Sequence, residues 1–203
     1  MLYYVVNAVL ACDLIDQVFI ATSTNSEDDA IARYCKKEGW PVFRGPLSNV
    51  VERFRTLIED NKLENFVRIC GDSPLHDPSV IRRGIEIFCS TGCDLATNVN
   101  PRTFPKGVSV EVVDAKVFLA ASRKISELRH REHPTTYFYD NPNDFRLVNF
   151  EIGQSMAEIS FAVDTEMDYL LITSMLEGME KDPWKYSLKE KVIRYFAIHQ
   201  AEQ

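Results

Sequence analysis

The sequence predicts an α/β fold built on a largely parallel sheet. Apolar runs of strand length, among them QVFIAT and NFVRIC, alternate with stretches of helical periodicity. Small, hydroxylated, glycine and acidic residues gather where those runs end, the edge at which open α/β sheets bind ligands. After Asn98 the alternation is less clean, which predicts a mixed sheet with an antiparallel excursion.

The chain opens on Leu2, Val5, Val6, Val9 and Leu10, spaced i, i+3, i+4, i+7, i+8 as on one face of a helix. Gln17–Thr22 is a strand, and Asn25–Ser26 starts a helix that runs to Lys37 and stops at Gly39. Pro41–Arg44 is a short strand. Asn49–Asp60 is a helix with Val50, Phe54, Leu57 and Ile58 on one face. Asn65–Cys70 is the next strand. Asp77 before Pro78 is a cap followed by proline at the first helical position, and that helix ends at Gly92. Asp94–Thr97 and Val108–Val113 are strands, and Ala115–Ile125 is a helix. Another helix covers Glu132–Tyr139 and ends before Asn141–Pro142. Phe145–Phe150 and Ile159–Val163 are strands, and Thr165–Leu176 and Leu188–His199 are helices. No repeat or linker interrupts residues 1–203, so one domain is expected, with about 179–203 as a C-terminal helical extension.

Thirty acidic against 23 basic residues give a formal charge of −7. A net-negative chain is a poor non-specific binder of nucleic acid or of an anionic membrane. Phosphate binding then falls to a few local cations, a metal ion or backbone amides. Cys12, Cys35, Cys70, Cys89 and Cys93 form no zinc spacing and read as reduced thiols of a cytoplasmic protein. The apolar opening ending in Val-Leu-Ala-Cys mimics a lipoprotein signal but has no basic start. No run reaches transmembrane length.

The strand ends supply the candidate site. Asp72 and Asp164 follow apolar strands at the ligand edge, and two such carboxylates suit Mg²⁺, a hard cation that shares oxygen ligands with phosphate. Each has a structural alternative: Asp164 could cap the helix at Thr165, and Asp72 could organise the Gly-Asp-Ser-Pro turn. Lys106 could meet an anion and Glu111 could accept hydroxyl hydrogen bonds, or they could be a surface lysine and a strand-face glutamate. Arg129-His130-Arg131-Glu132-His133 could bind an acidic sugar or form a solvated helix start.

Six blocks in order carry a family resemblance. VRICGDSPLHDPSVI (67–81) resembles the V-R-I-x-G-D-x-P-L-x-D-P motif of the cytidylyltransferase family, in its spore coat polysaccharide branch. IDQVFIATSTNSEDDAI (15–31), FRGPLSNVVERF (43–54), PKGVSVEV (105–112), REHPTTYFYDNP (131–142) and FAVDTEMDYLLI (161–172) resemble further blocks of that family. The resemblance implies a three-layer, Rossmann-like nucleotide-diphospho-sugar transferase fold. It also implies transfer of CMP from CTP to an acidic sugar with Mg²⁺ and release of pyrophosphate. By position, Asp72 and Asp164 match metal-binding aspartates. Thr22, Ser23, Arg44 and Gly71 fall in nucleotide-facing loops, while Arg68, Lys106, Glu111, Arg131, Glu132 and His133 fall on the sugar side. Ser109 and Asn49 stand where the family usually has Asp. Family members also begin with a strand and a phosphate-wrapping loop ahead of the helix that starts here. This chain is therefore expected to lack roughly 30 residues, one βα unit, with its activity in doubt. A homodimer through the opening helix would cover part of the loss. The alternatives are a nucleotide-sugar glycosyltransferase and a non-catalytic binding or assembly protein.

Overall fold

The computed structural model describes residues 1–201, with 199–201 as helical backbone only. The elements in order are α1 (Leu2–Leu10), β1 (Ile20–Ser23), α2 (Asp29–Glu38), β2 (Val42–Gly45), α3 (Val50–Asn61), β3 (Asn65–Arg68), α4 (Pro78–Thr91), β4 (Leu95–Thr97), β5 (Glu111–Asp114), α5 (Ala115–Ser122), α6 (Leu128–Glu132), α7 (Thr136–Asp140), β6 (Leu147–Asn149), α8 (Glu166–Glu177) and α9 (Leu188–Ala201). Short 3₁₀ turns at Ser26–Asp28 and Pro183–Lys185 lead into α2 and precede α9.

The strands form two sheets. β1 and β2 pair in parallel, and β3, β5, β4 and β6 lie side by side in that order. β5 is antiparallel to both its neighbours, and β4 and β6 are parallel, so β5 is the one reversed strand of the four. This is the expected antiparallel excursion. β1 and β3 each ladder on one side only, so among the described residues no strand joins the two sheets. Helix α3 packs against both strands of the smaller sheet and against α5 and α6.

Helices cover both faces. On one face Val80, Ile81 and Phe88 of α4, Ile172 and Met175 of α8 and Val192 of α9 pack on Ala96 and Val112. On the other, Val51 and Ile58 of α3, Phe118 of α5 and Phe138 of α7 pack on Leu95 and Val113. Successive strand residues point to opposite faces, which is why Ala96 and Val112 serve one core and Leu95 and Val113 the other. Phe104, Phe118, Phe138 and Phe161 are fully buried, each contributing roughly 2–3 kcal/mol. Val5, Val6, Ala8 and Val9 of α1 are buried within the chain, where α1 meets α4 and the Pro183–Lys185 turn. The helix expected to offer a dimer surface thus buries Val5, Val6 and Val9 within the chain and leaves Leu10 exposed.

The helix signals act as expected. Asn49 caps α3 through Glu52 N–H, and Asp77 caps α4 through Ser79 N–H. Gly39 and Gly92 end α2 and α4 in the left-handed region. Three segments differ. The helix expected over Glu132–Tyr139 is two, α6 and α7, broken around Pro134, because proline pushes the preceding His133 out of the helical region. Ile159–Val163 is extended but not a strand. It makes one bridge, Ser160 with Lys106, and its amides and carbonyls pair with single residues instead. Val108–Val113 begins its ladder only at Glu111, because the buried Asn98 side chain bonds Val108 O and Val110 N–H in place of a partner strand.

One feature of the core is costly. His76 is fully buried with neither ring nitrogen hydrogen-bonded among the described residues, a loss of about 1–3 kcal/mol per unpaired group. Burial and then the charge of nearby Lys191 push its pKa down to about 3. A base with a lowered native pKa stabilises the fold above its unfolded value, near 6.5, and that stability drains as pH falls toward 3. His76→Leu should therefore flatten the acid limb of a urea-stability profile between pH 6.5 and 4, by up to about 1.4 kcal/mol per pH unit. An unchanged slope would mean that His76 is not the titrating group.

Candidate active site

The register assembles the site. Arg68 pairs with Glu111, Glu111 with Thr97, and Thr97 with Asn149, so these four form one row across the sheet at its carboxyl edge. The row lies on the face covered by α7, and Tyr139 of α7 reaches it. The Glu111 carboxylate is buried, paired with the Arg68 guanidinium and accepting the Tyr139 hydroxyl, which in turn meets Thr97 Oγ1 at 2.9 Å. Burial works against the Arg68 charge, and Glu111 outweighs it, holding the guanidinium protonated. Burial and then Glu111 push the Tyr139 phenol well above its ordinary value. The phenol therefore stays a neutral donor.

Beyond this row lie the two candidate metal ligands. Val163 N–H donates to Asp72 O at 2.9 Å, which stitches the loop after β3 to the segment before α8 and brings Asp72 and Asp164 onto adjacent chains. Both residues are exposed. Thr165, not Asp164, caps α8, in a capping box with Asp168. Asp168 is held below the usual carboxylate range, first by the Thr165 hydroxyl and then by its backbone N–H. The Asp164 side chain has no hydrogen bond or ion pair among the described residues, and the Asp72 carboxylate accepts only the Ser73 hydroxyl, at 2.7 Å. Among the described residues no set of three or more His, Cys, Asp or Glu converges as a metal cage. Two exposed carboxylates fit Mg²⁺, which keeps several waters and takes its remaining oxygens from phosphate.

The other predicted residues divide. The Thr22 hydroxyl and Ser23 N–H both donate to Asp28, at 2.8 and 2.9 Å, and Ser23 Oγ accepts Asn25 N–H. The Ser23 side chain first, then the Thr22 hydroxyl and the Ser23 N–H, hold Asp28 below the usual carboxylate range. Arg44 donates to Ser23 O and Asn25 O and pairs with Asp29. Thr22, Ser23 and Arg44 thus shape the loop at the end of β1, with Asp28 as its unpredicted anchor. Gly71 is exposed beside Asp72, with space around its Cα.

Lys106 is exposed, and its charge reaches Asp168. Its backbone pairs with Ile159 O and Phe161 N–H. The next residue must be glycine: at φ +80°, a Cβ on Gly107 would sit 2.5 Å from the backbone of Phe161 and Ala162. Arg131 and Glu132 end α6 and His133 caps it, with Glu132 and His133 exposed. The buried histidine of that cluster is His130, whose Nε2 meets Asp140 at 2.8 Å. Thr97, Tyr139 and Asn149 were not visible in the sequence, because only pairing across the sheet and the docking of α7 bring them to Glu111. Cavities of about 320 Å³ beside α5 and about 500 Å³ between α4 and the Pro183–Lys185 turn include none of these residues.

Strands that deliver their polar residues to one edge, with helices capped just beyond it, mark Rossmann-like nucleotide-binding proteins, and this chain is of that class. More narrowly, it belongs to the cytidylyltransferase family, whose model matches residues 1–194. It is similar to the spore coat polysaccharide biosynthesis protein SpsF of Bacillus subtilis (strain 168), 30% identical over 171 residues, covering 83% of this chain and 70% of SpsF. Its fold is similar to that of a cytidylyltransferase from Leptospira borgpetersenii serovar Hardjo-bovis, with TM-score 0.89 and 20% identity over 99% of this chain and 83% of that one. It is also similar to a CMP:2-keto-3-deoxy-manno-octonic acid synthetase solved with CTP, with TM-score 0.64 and 10% identity over 87% of each chain.

The Arg68–Glu111 pair is tested by a double-mutant cycle. Glu111→Gln leaves a largely buried guanidinium without its counter-charge and should cost about 3 kcal/mol in urea unfolding. Arg68→Met with Glu111→Gln should cost clearly less than the sum of the two single changes. Additive losses would show that the two groups are not coupled.

Proposed function

We propose that this chain is a Mg²⁺-dependent cytidylyltransferase that transfers CMP from CTP to an acidic sugar, with release of pyrophosphate, in the assembly of a surface polysaccharide. The observation that carries the reading is the pair Asp72 and Asp164: exposed, on segments joined by the Val163 N–H to Asp72 O bond, with capping of α8 taken over by Thr165. Among the described residues no side chain or backbone group is bonded to the Asp164 carboxylate. Family membership and the similarity to SpsF support the nucleotide and the polysaccharide context. Five free cysteines accord with a reducing, cytoplasmic setting. No helix among the described residues is long and apolar enough to cross a membrane.

Asp72 and Asp164 would hold the metal, which supplies charge neutralisation at the phosphates and favours in-line displacement at phosphorus. The protein's own share is positioning. The turn braced by Thr22, Ser23, Arg44 and Asp28 would present backbone to the nucleotide. Gly71 leaves room for close approach. Glu111, held by Arg68 and Tyr139, Lys106 and the Arg131–His133 segment would face the acceptor. In this reading the acceptor hydroxyl attacks the α-phosphorus, the bond to the β-phosphate oxygen breaks, and pyrophosphate leaves.

The test is pyrophosphate release from CTP with Mg²⁺ and a panel of sugar acids. Asp72→Asn and Asp164→Asn should each lower turnover by about a hundredfold or more, the scale of losing one preorganised charge-stabilising contact, without shifting the thermal midpoint by more than a few degrees. Turnover retained in both variants would overturn the metal assignment. Turnover of a nucleotide-diphosphate sugar without pyrophosphate release would replace the whole reading with glycosyl transfer.

A further inference from the structure

One helix grips both segments that carry the proposed metal ligands. Asp72 lies on the loop after β3, and Asp164 on the segment that leads into α8. The two segments meet through Val163 N–H and Asp72 O, and α9 packs against each of them.

On the Asp72 side, Lys191 is fully buried and donates from Nζ to His76 O at 2.7 Å. Leu188 N–H donates to the Asp77 carboxylate, also at 2.7 Å. Ser73, Pro74, Leu75, His76 and Asp77 are all buried, so the chain between Asp72 and these two pins is packed. An ammonium costs more to bury than an apolar side chain of similar volume, and simple core contact would not call for one. What Lys191 supplies is a donor fixed on one carbonyl, four residues after Asp72 (76 − 72).

On the Asp164 side, Tyr195 packs edge-on against Phe161, ring centroids 5.9 Å apart, and Phe161 comes three residues before Asp164 (164 − 161). Arg194 Nε donates to Met175 O at 2.7 Å. That carbonyl lies in the last turn of α8, where the helix has no amide of its own to pair with it; Met179 N–H goes to Leu176 O instead. A guanidinium also suits the negative end of the helix dipole. Gly178 makes room for it, because a Cβ there would run into the Arg194 guanidinium. The backbone at Gly178, φ −87°, is open to any residue, so that space is what the glycine provides. Held at Phe161 ahead of Asp164 and at the far end of α8, the second segment is fixed on both sides of its carboxylate.

We propose that α9 is a clamp that sets the spacing of Asp72 and Asp164, with Lys191 and Arg194 as positioning residues that govern metal affinity without touching the metal. This rests on the metal reading proposed above. It gives the C-terminal helix, expected from the sequence only as an extension, a part in the site.

The experiment is titration calorimetry of the full chain with CTP, once with Mg²⁺ and once with EDTA. The unaltered protein should bind CTP more tightly with Mg²⁺, and the ratio of the two affinities is the readout. Lys191→Met, Arg194→Gln and Gly178→Ala should each shrink that ratio by about tenfold, the scale of removing a group that orients a metal ligand, and leave the metal-free affinity unchanged. Gly178→Ala removes no side chain and displaces only the guanidinium, so its thermal midpoint should stay within a few degrees. It and Arg194→Gln serve if Lys191→Met does not fold. Arg194→Lys, which keeps a cation at the helix end, should recover part of the ratio. Because coupling is reciprocal, Mg²⁺ with CTP should also slow hydrogen exchange along α9 relative to CTP with EDTA. A ratio unchanged in every variant that folds overturns the clamp, and so does α9 exchange that is indifferent to Mg²⁺. An unaltered protein that binds CTP equally with Mg²⁺ and with EDTA overturns the metal reading itself, and the clamp with it.

Discussion

The site depends on one backbone hydrogen bond, Val163 N–H to Asp72 O, at 2.9 Å. The two aspartates are 92 residues apart in sequence (164 − 72), and the segment before α8 belongs to no ladder. This bond and the Lys106 contacts are what register it against the sheet. Gly107 is the second half of the same constraint, because any side chain there would drive the 159–163 segment away. A carboxylate pair that shares a small cation, as proposed above, needs closely fixed positions, and this bond together with the Lys106 contacts fixes the backbone that carries them.

The loop that carries Asp72 is fastened at its far end by α9. Asp77 uses one carboxylate oxygen to cap α4 and the other to accept Leu188 N–H at the start of α9. Lys191, fully buried, donates to His76 O at 2.7 Å. Burial pulls the Lys191 amine down to about 8, with Asp77 and Glu190 working against that pull. A buried amine and an unbonded buried imidazole in adjacent places destabilise the fold locally. What the arrangement supplies is a loop that cannot swing: between Arg68 and Pro78 the chain is fixed by β3, by Val163 and twice by α9. Electrostatic stabilisation of a transition state gains most from groups that need no rearrangement at the moment of reaction.

How much of this was legible in the sequence follows from how local each signal is. Caps and stops need only their neighbours, so Asp77 before Pro78, Gly39 and Gly92 read correctly. Strand ends are nearly as local: Asp72 does follow β3, whereas Asp164 follows a segment that joins no ladder. The row Arg68–Glu111–Thr97–Asn149 could not be read, because it depends on β5 reversing between β3 and β4, a non-local pairing with no sequence period of its own. Tyr139 is a further step removed, since it joins that row only through the docking of α7. The break between α6 and α7 was legible in Pro134 and was missed because the flanking residues share helical spacing. Ile159–Val163 shows the opposite limit: alternating apolar residues specify extended backbone but do not say whether a neighbouring strand exists.

Asn49 and Ser109, the two positions where the sequence resemblance leads to an expected Asp, show why a side chain is best judged by its partner. At Asn49 the partner is a helix N-terminus, Glu52 N–H at 3.0 Å. Asparagine and aspartate cap about equally well, so the change leaves the helix start as it was, apart from a small dipole contribution at the surface. At Ser109 the partner is the Arg102 guanidinium. A hydroxyl keeps the hydrogen bond there and removes the counter-charge. The same loss of one carboxylate is thus nearly neutral at the mouth of α3, yet at the head of β5 it changes the charge balance of the site.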